Sequence, residues 1–470
     1  MADQTTEEAL CYLGLLDVGR RIRAGEFSSR EITQALLERI ARLEPQLKSY
    51  ATVTPELALA QAEAADREIA RGASRGPLHG VPIAVKDLCW TQGVVTAAGM
   101  SIYRDFVPER DATVVARLKQ AGAVLLGKLQ MTEGAFSVHH ASIEPPVNPW
   151  DSALWPGVSS SGSGVAVAAG LCYAALGSDT LGSIRFPSTA NGVTGLKPTW
   201  GRVSRAGVFA LAPSMDHIGP MARSAADAAA VLGAIAGPDP DDPTAVPLPV
   251  PDYLEDIGRG VRGLRLGIDR RLVAVAADAE TARVAEEAAA TFAGLGADVR
   301  DVACPPLDEI VQDAVVLCAT ECAVGHEATY PARASEYGAV LARLIELGRR
   351  TDGMTLAKVI ERRAVFRGRL DALFRDIDVL VLPAMSEAAP TLASLAQRVA
   401  DPEARLGRMR FTAPFDMSGN PCLTLPGGAT DTGVPVGFQL IGRHFEEALL
   451  LRCGHAFQEA TDWHRRRPPL

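Results

Sequence analysis

Residues 177–187 read Gly-Ser-Asp-Thr-Leu-Gly-Ser-Ile-Arg-Phe-Pro, and they form part of the most informative region of the chain. A second stretch rich in glycine and serine, Gly-Val-Ser-Ser-Ser-Gly-Ser-Gly, occupies residues 157–164, and an apolar run at 165–176 joins the two. Glycine lets backbone N–H groups approach a ligand closely. Acyl transfer needs an activated hydroxyl beside such donors. The two stretches therefore predict an acyl-transfer site.

Two other interpretations of these glycines and serines are weaker. Such stretches are often flexible linkers, but the apolar run at 165–176 predicts a buried helix between them. A phosphate-binding loop is the second alternative. The chain contains neither G-x-x-x-x-G-K-[ST] nor a G-x-G-x-x-G after a clear strand. We therefore expect these residues to be catalytic.

The chain resembles the amidase signature hydrolases in long motifs that extend over nearly its whole length. The motifs are Gly-Pro-Leu-His-Gly-Val-Pro-Ile-Ala-Val-Lys-Asp at 76–87, Pro-Gly-Val-Ser-Ser at 156–160, the stretch at 177–187, and segments at 194–204, 378–383 and 437–442. Their order and spacing make the resemblance specific. It implies one amidase signature domain over residues 1–470, a single α/β/α sandwich around a large mixed β-sheet. It also implies a mainly helical side wall at about residues 305–375.

The resemblance assigns a Ser–cis-Ser–Lys triad to this chain. Ser183 is the nucleophile, Ser159 is the bridging serine with a cis peptide bond beside it, and Lys86 is the base. The separation of the two serines matches the family spacing. The resemblance also implies an oxyanion hole built from the backbone N–H groups of Thr180, Leu181, Gly182 and Ser183. The expected supporting residues are Ser160, Asp179 and Arg185.

The residues themselves leave the identity of the base open. Lys86 ends an apolar strand, and burial in a low dielectric can lower a lysine pKa until the amine is neutral. The alternative is a structural lysine paired with Asp87. Histidine is the usual base, but none of the eight histidines lies in a familiar triad pattern. The adjacent pair His139-His140 keeps a metal or catalytic alternative open, although adjacent side chains point apart in regular structure.

The substrate pocket is predicted less directly. Val158, Ser161 and Leu181 stand where the family usually has glycine, so Leu181 places an apolar side chain in the nucleophile loop. That side chain either narrows the acyl pocket or only packs against the sheet. The predicted pocket wall follows the strand at 125–128 and consists of Gln130, Met131, Thr132 and Phe136.

The predicted function is hydrolysis of C–N bonds in small neutral amides, anilides or carbamates (urethanes), as in stand-alone aryl acylamidases and urethanases. One alternative is a glutamine amidase of the amidotransferase type that works as one component of a complex. Another is a catalytically silent scaffold on the same fold. We expect neither cofactor nor metal.

Composition excludes several classes of partner. A net charge of −9 argues against a nucleic-acid binder. No run of about eighteen apolar residues predicts a membrane span, and residues 1–5 lack the pattern of a signal peptide. The eight cysteines are scattered without C-x-x-C pairs, which fits a reducing cytoplasm. The sequence leaves open whether the chain forms a homodimer.

Hydrophobic periodicity predicts alternating helices and strands, which indicates an α/β protein. Apolar residues at helical spacing predict helices within residues 6–71, 113–120 and 285–292, and residues 307–376 are predicted to be mainly helical. The predicted strands lie at residues 81–85, 123–126, 264–268 and 299–302.

Overall fold

A large mixed β-sheet forms the centre of the computed structural model, which describes residues 8–397 and 401–470. The signal-peptide expectation concerns residues 1–5 and lies outside this part. The sheet has eleven strands in the order β1-β3-β2-β4-β6-β5-β10-β11-β9-β7-β8. The strands are β1 Tyr50–Val53, β2 Pro82–Lys86, β3 Val124–Leu129, β4 Ala174–Asp179, β5 Thr194–Lys197, β6 His217–Ala222, β7 Arg265–Ile268, β8 Asp298–Asp301, β9 Val379–Pro383, β10 Cys422–Ala429 and β11 Pro435–Gly442.

Helices alternate with these strands over much of the chain. They are α1 Leu15–Ala24, α2 Ser29–Leu47, α3 Pro55–Ala70, α4 Thr113–Gln120, α5 Ser161–Ala168, α6 Arg185–Asn191, α7 Ala225–Ile235, α8 Arg270–Ala276, α9 Ala279–Gly294, α10 Asp308–Gly325, α11 Ala339–Arg350, α12 Gly353–Leu373, α13 Leu392–Gln397, α14 Pro402–Met409, α15 Ala413–Ser418 and α16 Glu447–Ala460.

Helices cover both faces of the sheet, as two adjacent residues of β11 show. Phe438 packs against Phe292 of α9 and Phe457 of α16, with ring centroids 6.3 and 4.9 Å away. A Cβ atom on Gly437 would lie 3.1 Å from Thr189 Oγ1 of α6. Successive residues of a strand point to opposite faces, so α9 and α16 lie on one face and α6 on the other. The predicted α/β/α architecture with a mixed sheet is confirmed.

The parallel pairing of β2 with β4 brings the serine-rich stretches to the predicted lysine. Val85 of β2 lies opposite Leu176 of β4, and both strands are entirely buried. Carboxyl ends of parallel strands meet at one edge of a sheet, where ligands bind in open α/β folds. Lys86 ends β2 and Asp179 ends β4. The loop that carries Ser183 therefore begins beside Lys86.

The helix predicted at 113–120 is α4, and the four predicted strands correspond to β2, β3, β7 and β8. Two other predictions were wrong in part. The apolar run at 165–176 is not one helix, because the chain turns at Gly170 with φ +66° and β4 begins at Ala174. The helical region at 6–71 includes β1, which pairs antiparallel with β3. The β-branched and aromatic residues of Tyr50–Val53 favour that strand.

The segment predicted as a helical side wall forms α10, α11 and α12. It contacts the loop that precedes β6: Glu321 accepts a hydrogen bond from Ser214 N at 2.8 Å, and Arg363 donates to Ser214 Oγ at 2.9 Å. Its α11 begins beside Glu133, which accepts from Gly338 N at 2.8 Å. These bonds place the three helices next to segments that follow the carboxyl ends of the central strands.

Candidate active site

Lys86 lies at the centre of a buried cluster of hydroxyl groups. Its Nζ atom donates to Ser159 Oγ at 2.6 Å, Ser178 Oγ at 2.8 Å and Ser160 Oγ at 3.0 Å. The side chain is fully buried. Burial lowers the pKa of Lys86 to about 7, although the charges of Asp179 and Asp216 oppose that shift. A large share of the amine is therefore neutral at neutral pH and can accept a proton.

Ser159 belongs to a tight turn that leads into α5. Gly162 donates its N–H to Gln130 O at 3.1 Å, and a Cβ atom at Gly162 would lie 2.5 Å from that same oxygen. Only glycine allows this close approach to the backbone that follows β3. The turn thereby holds Ser159 against Lys86.

The expected cis peptide bond beside Ser159 is not present. The cis bond recorded in the described residues is Tyr330–Pro331, and the bonds on either side of Ser159 are trans. A cis bond without proline costs about 3 kcal/mol. The trans turn already brings Ser159 Oγ to 2.6 Å from Lys86 Nζ, so this contact does not require the cis form.

The nucleophile loop is folded around the carboxylate of Asp179. One oxygen accepts from Gly182 N at 2.6 Å, and the other accepts from Ile184 N at 3.0 Å and Arg185 N at 3.3 Å. Gly182 has φ +128°, which side-chain-bearing residues rarely adopt. Asp179 thus shapes the turn on which Ser183 stands, and Ser183 itself is 6% exposed.

Three of the four predicted oxyanion donors have free N–H groups. Within the described residues, the N–H groups of Thr180, Leu181 and Ser183 make no hydrogen bond, whereas Gly182 N donates to Asp179. Leu181 O accepts from Thr412 Oγ1 at 2.7 Å, which fixes the peptide between Leu181 and Gly182. The N–H groups of Thr180, Leu181 and Ser183 are thus available as donors to an oxyanion.

Arg185 anchors this loop to α15 through a buried charge network. Its guanidinium contacts Asp179 at 3.0 Å and Asp416 at 2.6 Å, and all three side chains are fully buried. Burial opposes ionisation of Asp179, but the charge and hydrogen bonds of Arg185 hold the pKa of Asp179 well below its usual value. For Asp416, burial raises the pKa despite the same arginine. The predicted supporting roles of Asp179 and Arg185 correspond to this network.

We expect Arg185→Met to destabilise the protein by about 3–5 kcal/mol, because it leaves buried Asp179 without its cation. The chemical-denaturation midpoint measures this loss. The matched control is Arg283→Met, since Arg283 pairs with Glu280 and Glu287 on the surface and such pairs contribute about 0–1 kcal/mol. Equal midpoint shifts in the two variants would contradict the anchoring role.

The predicted pocket-wall residues lie after β3, and two of the four are buried. Met131 and Thr132 are buried, while Gln130 and Phe136 are half-buried. Leu181 is 8% exposed and packs in the apolar core. This burial favours the alternative in which Leu181 packs against neighbouring elements.

A cavity of about 280 Å³ lies next to the hydroxyl cluster and is not lined by any of the predicted wall residues. Ser178 and Asp216 are part of its lining. Ser178 Oγ accepts from Lys86, and Asp216 Oδ1 accepts from Thr180 Oγ1 at 2.6 Å. Two lining residues are thus hydrogen-bonded to Lys86 and to the oxyanion loop, respectively. The sequence interpretation did not single out Ser178, although it directly precedes Asp179 in the stretch at residues 177–187.

The two adjacent histidines point to different surroundings. His139 Nε2 lies 3.3 Å from Ser161 Oγ, and His140 Nδ1 lies 2.7 Å from Ser142 Oγ. Burial, and then the charge of Lys86, lower the pKa of His139 to about 4. Across residues 8–397 and 401–470, no group of three or more His, Cys, Asp or Glu side chains is placed to hold a metal ion.

The same arrangement of motifs defines a known family. The family model described as Amidase matches residues 31–451. This chain belongs to the amidase family. "Putative amidase AmiD" of Mycobacterium tuberculosis is 51% identical over 464 residues, which cover 99% of this chain and 97% of that protein.

Two further relatives show the range of the family. One component of the glutamyl-tRNA(Gln) amidotransferase of Geobacter sp. is 38% identical and is aligned over 97% of this amidase and 99% of its own length. The solved structure of the peptide amidase from Stenotrophomonas maltophilia is 34% identical, covers 97% of this chain and 98% of its own, and superposes with a TM-score of 0.85. The chain is thus an amidase that hydrolyses C–N amide bonds. Within its described residues, no helix is both long and apolar enough to cross a lipid bilayer.

Proposed function

We propose that this amidase acts alone on small neutral amides, anilides or aryl carbamates, with Ser183 as nucleophile, Ser159 as proton relay and Lys86 as base. The environment of Lys86 carries the proposal. Its amine is buried, has a pKa of about 7, and donates to Ser159 Oγ at 2.6 Å. A neutral amine in contact with a hydroxyl is a suitable general base for a serine hydrolase.

In the proposed reaction, Ser183 Oγ attacks the carbonyl carbon and its proton passes through Ser159 to Lys86. The oxyanion that forms accepts hydrogen bonds from the N–H groups of Thr180, Leu181 and Ser183. The C–N bond then breaks, and the proton returns from Lys86 through Ser159 to the leaving nitrogen. Water then adds to the acyl-enzyme by the same route and releases the carboxylic acid or, from a carbamate whose amine has left, the carbonic acid monoester.

The proposed proton relay requires a contact between the hydroxyls of Ser183 and Ser159. Among the described residues, no hydrogen bond joins Ser183 Oγ to Ser159 Oγ. Catalytic hydrogen bonds are often longer in the free enzyme and tighten when substrate binds. Both hydroxyls lie on loops at the same edge of the sheet, and the proposal requires that substrate binding bring them within hydrogen-bond distance.

A substrate panel tests this function. With the purified chain alone, we expect kcat/KM for a neutral anilide and an aryl carbamate to exceed that for glutamine by roughly tenfold or more. Arg205 lines the cavity, and its guanidinium donates to Pro213 O, Asp216 O and Thr244 Oγ1. Its terminal nitrogens are therefore already engaged by the protein rather than by an amino-acid carboxylate. Glutamine as the best substrate would contradict the proposed specificity.

A component of an amidotransferase complex is the second candidate, because the Geobacter sp. relative aligns over nearly the whole chain at 38% identity. That function predicts glutamine hydrolysis that depends on added partner proteins. A silent scaffold predicts that a fluorophosphonate labels no serine. Rapid turnover of anilides by the isolated chain, together with labelling of Ser183, excludes both alternatives.

A further inference from the structure

We propose that the cavity beside Ser178 is a subsite for a single aromatic ring on the leaving-group nitrogen of the substrate. This inference rests on the proposed function, because it places that ring relative to the proposed base. The residues that determine specificity would then lie in the segment 205–218, before and within β6, instead of in the predicted wall after β3. The key residue is Phe209, which no sequence motif singled out.

The cavity is connected to the proposed proton relay through Ser178. Ser178 forms part of its lining and accepts a hydrogen bond from Lys86 Nζ, which also donates to Ser159 Oγ. In the proposed reaction, Ser159 delivers the proton to the departing nitrogen. A substituent on that nitrogen therefore extends past Ser159 toward Ser178 and into the cavity.

Part of the cavity wall is apolar and includes an aromatic side chain. Ala135, Val208, Phe209, Leu211 and Ile218 contribute apolar surface. The volume of about 280 Å³ lies at the lower end of the roughly 300–1,000 Å³ typical of small-molecule sites. Such a space suits one ring and is too small for a long chain.

Three other aromatic rings hold Phe209 in place. Its ring centroid lies 5.0 Å from that of Tyr103, 5.8 Å from that of Phe106 and 6.3 Å from that of Trp90. Offset or edge-to-face contacts in this range are favourable. Phe209 is half-buried, so the aromatic cluster supports it on one side while the cavity lies on another.

The backbone ties the position of Phe209 directly to the base. Phe209 N donates to Leu88 O at 3.1 Å, and Trp90 N donates to Gly207 O at 2.9 Å. Residues 88–90 follow Lys86 in the chain, so the aromatic wall and the base share one short stretch of backbone. This coupling keeps the distance between ring subsite and reaction centre constant.

The charged groups of the cavity lining have partners within the protein, which favours a neutral ring. Arg205 donates to Pro213 O and Thr244 Oγ1, and Asp241 lies 3.6 Å from Arg110. The carboxylate of Asp216 accepts hydrogen bonds from Thr180 Oγ1 and the N–H groups of Leu211 and Ala212. Its lone pairs are engaged by the protein rather than directed at a cationic ligand.

The test compares acetanilide, acetamide and benzamide. Acetanilide and acetamide form the same acetyl-enzyme, so the ratio of their kcat/KM values isolates the leaving group. Benzamide carries its ring on the acyl side. We expect Phe209→Ala to lower the acetanilide-to-acetamide ratio roughly tenfold, from the lost aromatic contact and buried ring area. The benzamide-to-acetamide ratio should keep its wild-type value.

A second variant keeps the test valid if Phe209→Ala fails to fold. Ala206 lines the same cavity and is half-buried, so Ala206→Leu fills the space with little disturbance of the core. It should lower the acetanilide-to-acetamide ratio by a similar factor. Phe27→Ala is the matched control, because Phe27 is a half-buried ring between α1 and α2, and it should leave the ratio unchanged.

Each alternative result is distinct. A fall in the benzamide ratio instead of the acetanilide ratio would assign the cavity to the acyl side and overturn the inference. Unchanged ratios in both cavity variants would overturn it as well, while the proposed function stood. Absence of activity of the wild-type chain on all three substrates would remove the proposed function and the inference with it.

Discussion

Ser183→Ala is expected to lower kcat by about 10⁴-fold or more, the scale on which serine hydrolases respond to loss of the nucleophile. The Ser183 hydroxyl is the group proposed to bond to the acyl carbon. The fold should survive, because Ser183 Oγ makes no hydrogen bond within the described residues whose loss would destabilise the loop. Steady-state kinetics and mass spectrometry of a fluorophosphonate adduct measure the effect.

Two further serine variants make this result specific. Ser159→Ala should slow labelling strongly but leave the adduct on Ser183, because it removes the relay and not the nucleophile. Ser163→Ala is the matched control: its buried hydroxyl donates to Leu176 O at 3.0 Å and does not contact Lys86. It should keep near-wild-type kcat. An adduct on Ser159 in the wild-type protein would reverse the roles of the two serines.

The sequence predicted the sheet and the position of the lysine well, because both depend on long motifs with ordered spacing. β2 and β4 are short, fully buried and followed by polar residues, and their parallel pairing brings Lys86 to the serine-rich loops. The conformation of the loop around Asp179 could also be predicted from the sequence. Its hydrogen bonds to Gly182 and Ile184 are local and depend on a few consecutive residues.

Boundaries inside apolar runs were harder to predict. Residues 165–176 contain the end of α5, a turn at Gly170 and the start of β4, and all of them are buried. Periodicity cannot separate a buried helix from a buried strand in so short a run. Gly170 was the one local signal of the break.

The cavity could not be predicted from any motif, because distant segments build it. Ser178 comes from β4, Phe209 from the loop before β6, and Asp242 from a segment rich in proline and aspartate. Contacts such as Thr180 Oγ1 to Asp216 Oδ1 join residues far apart in the chain. The sequence placed the wall at Met131 and Phe136 because they follow a strand end, a local argument that says nothing about these long-range contacts.

Lys86→Arg is expected to abolish activity, because a guanidinium stays protonated and cannot accept the proton of Ser183. In the wild type, kcat/KM should rise from acidic to alkaline pH with an apparent pKa near 7, following the pKa of about 7 that burial gives Lys86. The sign follows from the required form: below this pKa the amine is protonated and inactive as a base, and above it the neutral amine accumulates. A pH series with one neutral anilide measures the profile.

Lys128→Met separates this effect from the loss of any buried lysine. Lys128 is also fully buried, but it pairs with Asp87 at 3.2 Å and donates to Thr96 at 2.7 Å, without a contact to the serine cluster. Its removal should lower stability, since Asp87 loses its partner, yet the remaining activity should keep an apparent pKa near 7. A shifted profile in Lys128→Met would assign the titration to the Asp87–Lys128 pair. Residual activity in Lys86→Arg with an unchanged profile would show that Lys86 is not the base that titrates.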